Sequence, residues 1–209
     1  MPDSDVLSAQ DWGSLNKYKV ANSKLGPPTE NENRIVFFGN SITESWAVKS
    51  PEFFKDNLSH ICRGISGQTT PQMLIRFRAD VVELQAKKVV ILAGINDIAE
   101  NTGPMSIEQT AGNIFSMAEI AKANGIEVVL CSVLPASYFP WHEEMEPAQK
   151  VIGLNLIIKA YAGKNALRYV DYYSKMVDDN GGLQEALTYD GVHPNEEGYA
   201  VMEKVFLKD

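Results

Sequence analysis

The sequence predicts an α/β domain of three layers, with a five-stranded parallel sheet flanked by helices. Three observations predict it. Short unbroken apolar runs recur along the chain, each rich in β-branched residues, as in strands buried on both faces. Segments of helical periodicity separate them, which is the alternation that builds parallel sheets through right-handed crossovers. Several runs stop at a glycine followed by polar residues, which is how strands end where a doubly wound sheet binds ligands.

Residues 1–33 are polar, contain Pro27-Pro28, and show little periodicity. Trp12, Leu15 and Tyr18 are spaced at three, as on one helix face. This stretch reads as an arm with a short helix, docked on a single domain of residues 34–209. The first strand is Ile35-Val36-Phe37-Phe38, running into Gly39-Asn40-Ser41. Gly39 permits a tight turn, and Ser41 then stands at a helix mouth, where a backbone N–H meets a nearby anion in a favourable field. An ordinary capping serine is the plain alternative. A helix follows from Trp46 to Asn57, with Pro51 disturbing its course.

His60–Arg63 reads as the second strand and ends at Gly64-Ile65-Ser66-Gly67. Thr70 as cap, with Pro71 at the first position, opens a helix on which Leu74, Phe77, Val81 and Leu84 share a face. Val89–Ala93 is the third strand and stops at Gly94-Ile95-Asn96-Asp97. Ser106 with Gln109 has the pattern of a capping box. The helix it opens is apolar at Ile107, Ala111, Ile114, Ala118 and Ala121, and Gly125 ends it. Val128–Val133 is the fourth strand. An irregular loop, Pro135–Pro147, carries Tyr138, Phe139, Trp141 and His142 among three glutamates. Pro147 starts a helix through about Tyr161, Leu167–Val170 is the fifth strand, and a last helix covers about Asn195–Phe206.

Composition narrows the function. At 209 residues and 44% hydrophobic, one domain with a full core is expected. A net charge of −8 argues against nucleic acid or an anionic membrane as partner. No apolar stretch approaches the roughly 18 residues of a membrane span. Met1–Leu15 lacks a basic region followed by an apolar core, so a periplasmic or secreted chain is expected only if a leader was removed, and a cytoplasmic one otherwise. Cys62 and Cys131 sit in strand-like runs and read as buried small hydrophobes. There is no Gly-x-Gly-x-x-Gly, no phosphate-binding Gly-Lys-Ser/Thr loop and no zinc-ligand spacing, so neither cofactor nor metal is expected.

Polar groups gather at the ends of the first three strands and before the last helix, places that converge in this architecture. They are Ser41, Gly67, Asn96, Asp190 and His193, the parts that acyl transfer requires. Of three histidines, His60 begins a strand and His142 lies in an acidic loop. Only His193 has a carboxylate at fixed short range, in Asp190, with Gly191 between them to bend the chain. An Asp-Gly turn beside a helix-entry histidine is the plain alternative, as an Asn-Asp turn is for Asn96 and a loop glycine for Gly67.

Together these residues resemble the SGNH hydrolases, the GDSL-type esterases. Gly39-Asn40-Ser41-Ile42 is similar to the family's nucleophile block, Gly64-Ile65-Ser66-Gly67 to its second block, Gly94-Ile95-Asn96-Asp97 to its third, and Asp190-Gly191-Val192-His193 to its last. The resemblance spans residues 35–205 and keeps the family's order. It implies a flavodoxin-like fold, a Ser41–His193–Asp190 triad, and oxyanion donors at Ser41, Gly67 and Asn96. Asn40 stands where the family has Asp. That position is not the triad acid, so the turn is expected to persist with an altered local charge and pH profile.

The loop around Tyr138 and Trp141, with Trp46 after the nucleophile, mixes rings with acids. Such a mixture suits a hydroxyl-rich alcohol such as a sugar better than a fatty chain. The expectation is a short-acyl, chiefly acetyl, esterase acting on a small-molecule or glycan ester. Lysophospholipase or thioesterase activity is the alternative, and a non-catalytic carbohydrate-binding protein or a nucleotide binder the alternative of another class. The sequence does not fix the oligomeric state.

Overall fold

The computed structural model describes residues 11–208. Five parallel strands form one sheet: β1 (Ile35–Gly39), β2 (His60–Gly64), β3 (Lys88–Leu92), β4 (Glu127–Cys131) and β5 (Arg168–Val170). Their order across the sheet is β2-β1-β3-β4-β5. After β2 the chain crosses back over β1 to place β3 on its other side, so the switch point lies at the carboxyl ends of β1 and β3. The five expected strands are all present, with ends within two residues of those read from the sequence.

Strand β1 organises both faces because its side chains alternate. Phe37 points into an aromatic cluster with Trp46, Phe53, Phe54, His60 and Phe206, its ring centroids 5.0–5.5 Å from theirs. That cluster is covered by α2 (Ser41–Lys49), α3 (Pro51–Lys55) and α9 (Glu196–Lys208). Phe38 points the other way, edge-on to Phe77 at 5.3 Å. That face carries α4 (Thr70–Phe77), α6 (Ile107–Ala123) and α7 (Ala148–Lys164). Short helices α5 (Ile95–Ile98) and α8 (Tyr173–Met176) follow β3 and β5.

Gly39 and Gly64 pair across β1 and β2. A Cβ on Gly39 would lie 2.0 Å from Thr43 Oγ1, and one on Gly64 would lie 2.1 Å from the Glu44 nitrogen. The first turn of α2 therefore sits directly on two glycine backbones, which brings its N-terminus close to the sheet edge.

Three local expectations change. The helix in the arm is α1 (Lys19–Leu25), not the Trp12–Tyr18 stretch, which forms turns tied by Asp11 to the Leu15 and Asn16 nitrogens. The helix after Ser41 begins at Ser41 itself and breaks at Ser50, where Pro51 starts α3. Thr69, not Thr70, caps α4 through a capping box with Gln72, and the helix passes into one wider turn over Arg78–Val82 before Leu84. Cys62 and Cys131 are free thiols.

Candidate active site

Asn40, not Ser41, caps α2: its side-chain oxygen accepts from the Ile42 nitrogen at 3.1 Å. An amide oxygen can accept this bond as a carboxylate oxygen would, so the cap is kept with Asn at this position. With that role taken, the Ser41 hydroxyl is free to face another group. Ser41 Oγ lies 2.9 Å from His193 Nε2. His193 Nδ1 lies 2.6 Å from Asp190 Oδ2. A proton on Nδ1, held by the carboxylate, leaves Nε2 to accept from the serine.

The loop before α9 builds this series from one turn. Asp190 Oδ1 accepts from the Val192 nitrogen at 2.9 Å and the His193 nitrogen at 2.7 Å. Thr188 Oγ1 accepts from the Gly191 nitrogen at 3.0 Å and donates to the His193 carbonyl at 2.7 Å. Gly191 has φ of +87°, and a Cβ there would meet the Tyr138 hydroxyl at 2.6 Å. Burial pushes the Asp190 carboxyl up, but hydrogen bonds from the His193 backbone and ring and from Val192 outweigh it, and its pKa falls below the ordinary value.

Gly67 and Asn96 lie on the neighbouring strand ends. Asn96 Nδ2 donates to the Gln68 carbonyl at 2.9 Å, which fixes the amide plane and leaves its second N–H unclaimed among the described residues. Gly67 has φ of +75° and open space where a Cβ would be. Its carbonyl accepts from Asn101 Nδ2 at 3.2 Å. Ser66 is held by Glu44, whose Oε2 accepts from its nitrogen at 2.8 Å and its hydroxyl at 2.6 Å.

The expected substrate rings divide. Trp46 is only 1% exposed; it stacks on Phe53 and Tyr199 and donates from Nε1 to Glu203 at 2.9 Å. Its side chain faces the aromatic core because α2 turns that face onto β1, so it is not a substrate contact. Tyr138 and Trp141 are 46% and 48% exposed. Trp141 lies 6.1 Å from the His193 ring, and Tyr138 donates to the Asp190 carbonyl at 3.2 Å. Sequence reasoning missed Tyr189, which is 57% exposed and stacks on His193 at 6.0 Å and 11°. Its place next to Asp190 was the available signal. His142 pairs with Glu144 at 3.0 Å in the outer loop, and His60 belongs to the core cluster.

A hydroxyl, an imidazole and a carboxylate in series at a parallel sheet's switch point form the constellation of a serine hydrolase. Residues 37–201 match the GDSL-like lipase/acylhydrolase family, and the chain belongs to it. That is a family of carboxylic-ester hydrolases. Two solved Bacteroides structures are similar over nearly all of it. One is a Bacteroides fragilis protein assigned as an acylhydrolase, 51% identical, covering 94% of this chain and 95% of its own, with TM-score 0.92. The other is a GDSL-like lipase of Bacteroides thetaiotaomicron, 50% identical, covering 94% and 96%, with TM-score 0.91. Esterase TesA of Pseudomonas aeruginosa is 33% identical over 131 residues, 62% of this chain and 58% of that protein. The chain spans about half the length of the curated relatives it matches, 58% and 48%. No helix among the described residues is long and apolar enough to cross a membrane.

Proposed function

We propose that the chain is a serine esterase that removes short acyl groups, chiefly acetyl, from hydroxyl-rich alcohols such as sugars. The observation that carries the esterase reading is the unbroken series from Ser41 Oγ through His193 to Asp190 Oδ2. Ser41 attacks the ester carbonyl and passes its proton to His193 Nε2. The imidazolium returns that proton to the departing alcohol oxygen, leaving an acyl-enzyme. Water, deprotonated by the same nitrogen, then releases the acid. The Ser41 and Gly67 backbone N–H groups and the Asn96 amide stabilise the oxyanion in both halves.

The sugar reading rests on the surroundings. A cleft of about 540 Å³ adjoins Asp190, lined by Tyr138 and Tyr189 together with Ser137, Asp178 and Glu185. Exposed rings beside carboxylates and a hydroxyl suit a ring with apolar faces and hydroxyl edges. The alcohol side of the ester occupies this cleft, and the acyl side faces the oxyanion donors.

The test has two parts. An aryl phosphonate should label wild-type Ser41 and leave the Ser41→Ala variant unlabelled and inactive with an unchanged melting temperature. Acetyl, butyryl, octanoyl and palmitoyl esters are then compared, followed by acetylated sugars against lysophospholipid. Turnover by folded Ser41→Ala would overturn the esterase mechanism. Faster turnover of long-chain esters or lysophospholipid would overturn the sugar reading alone.

A further inference from the structure

Arg76 is 0% exposed, yet it is a full cation on the buried face of α4. Desolvation makes such a charge costly unless every donor is used. Its donors are well occupied. Nε donates to Gln68 Oε1 at 2.6 Å, and Nη2 donates to the Gly39 carbonyl at 2.9 Å. Nη1 donates to the Arg63 carbonyl at 3.0 Å and to Asp80 Oδ2 at 2.9 Å. The guanidinium also lies 4.2 Å from the Phe38 ring centroid. One rigid fork thus ties the end of β1, just before the nucleophile turn, to the end of β2 and to the loop that carries Gly67.

The link to chemistry runs through Gln68. Its side chain is the only one of Ser66, Gly67 and Gln68 that reaches inward, and it is buried. Its Oε1 is held by Arg76, its Nε2 donates to the Gly13 carbonyl at 3.1 Å, and its own carbonyl accepts from Asn96 Nδ2 at 2.9 Å. We propose that Gln68 is a positioning residue for the oxyanion site, pinned by Arg76, and that it acts by fixing the orientation of the Asn96 amide. This rests on the esterase reading above, in which the Asn96 amide serves the oxyanion.

The fixed amide matters because an oxyanion donor is effective only when it is already aimed before charge develops. A donor amide free to rotate would lose much of its contribution, as would one displaced by a fraction of an ångström. Gln68 touches no reacting atom in this scheme; its whole effect passes through Asn96. That dependence separates positioning from general support of the fold.

The experiment measures kcat and KM on an aryl acetate, with thermal melts, for Gln68→Met, Gln68→Glu, Asn96→Ala and the Gln68→Met/Asn96→Ala double variant. Gln68→Met keeps the backbone carbonyl and loses the grip of Arg76. It should lower kcat by about 10–100-fold with KM unchanged. Gln68→Glu keeps an oxygen toward Arg76 Nε and should recover most of that loss. In the Asn96→Ala background, Gln68→Met should change kcat by less than about twofold, because the group it positions is gone. If Gln68→Met does not fold, Arg76→Lys replaces it, since a point charge cannot hold the same four acceptors. The same kcat-selective, Asn96-dependent loss is then expected. Full additivity with Asn96→Ala, or an unchanged kcat in folded Gln68→Met or Arg76→Lys, overturns the positioning role and leaves the triad untouched. An unchanged kcat in Asn96→Ala overturns the oxyanion reading itself, and this role with it.

Discussion

Asp190 divides its two oxygens between His193's ring and His193's backbone. Oδ2 meets Nδ1 at 2.6 Å, while Oδ1 accepts from the His193 nitrogen at 2.7 Å. One carboxylate therefore sets both the tautomer of the imidazole and the turn that presents it. Asp190→Asn places an N–H against one of these two kinds of donor, so either the ring or the turn loses its partner. A kcat loss on the order of 10³–10⁴ is expected, with KM little changed, because the wrong tautomer faces Ser41. A folded Asp190→Asn enzyme of near-normal kcat would remove Asp190 from the triad.

Asn96→Ala removes the side-chain donor from the proposed oxyanion site while leaving the Gly67 and Ser41 backbone groups. Loss of one such donor costs about 10²–10³ in kcat. KM should stay level if the amide serves only the transition state. A rise in KM alone would assign Asn96 to substrate binding.

Glu44 sits one turn beyond Ser41 on α2 and grips Ser66 with one oxygen while Lys17 pairs with the other at 2.9 Å. The helix that opens with Ser41 thus holds the loop that carries Gly67. Burial raises the Glu44 pKa, but the Ser66 hydrogen bonds and the Lys17 pair outweigh it and leave it below the ordinary value. A depressed folded-state pKa means stability that is present above the unfolded-state pKa and is lost as pH falls through the folded-state one. The group is partly exposed, so screening limits the effect, and Glu44→Ala should cost on the order of 1 kcal/mol at neutral pH. Urea denaturation of both proteins should show that difference shrinking as pH falls through and below the ordinary carboxylate range. A difference independent of pH would mean that lost packing, not the carboxylate, is responsible.

The sheet was legible because β1, β3 and β4 are continuous apolar runs ending at polar turns, and burial on both faces leaves that signature. The positions of Ser41, Gly67, Asn96, Asp190 and His193 could be read because each stands at a strand end or a helix entry; their roles belong to the proposed function. Trp46 was misread for a physical reason. Sequence places it one and a half turns after Ser41, but only the packing of α2 decides which helix face meets Phe37. Arg76 and Gln68 were invisible for a related reason. A charged residue between Met73 and Phe77 on a buried face looks like an interruption of the pattern until its acceptors, drawn from β1, β2 and the following loop, are seen together.

Asp97 provides a pH test of opposite sign to Glu44. It lies beside Asn96 and is fully enclosed, and its carboxylate accepts from the Thr70 nitrogen at 3.0 Å and from Thr70 Oγ1 at 2.6 Å. Those bonds join the α5 turn that carries Asn96 to the N-terminus of α4, and they favour the charged form. Desolvation is larger, and it raises the pKa from 3.8 to about 6. The folded chain then binds this proton more tightly than the unfolded chain. Its contribution is fully present below the unfolded-state pKa and is lost as pH rises through about 6. A shift of that size corresponds to about 2–3 kcal/mol between the two limits. Asp97→Asn carries no titrating group and still offers Thr70 one acceptor oxygen. The wild-type minus variant stability should therefore decline across this window and level off above it, whatever the fixed cost of the lost acceptor. Chemical denaturation of both proteins at several pH values measures the slope. A stability difference that is flat between the ordinary carboxylate pKa and neutrality would mean that Thr70 holds Asp97 charged throughout, with the helix terminus outweighing desolvation.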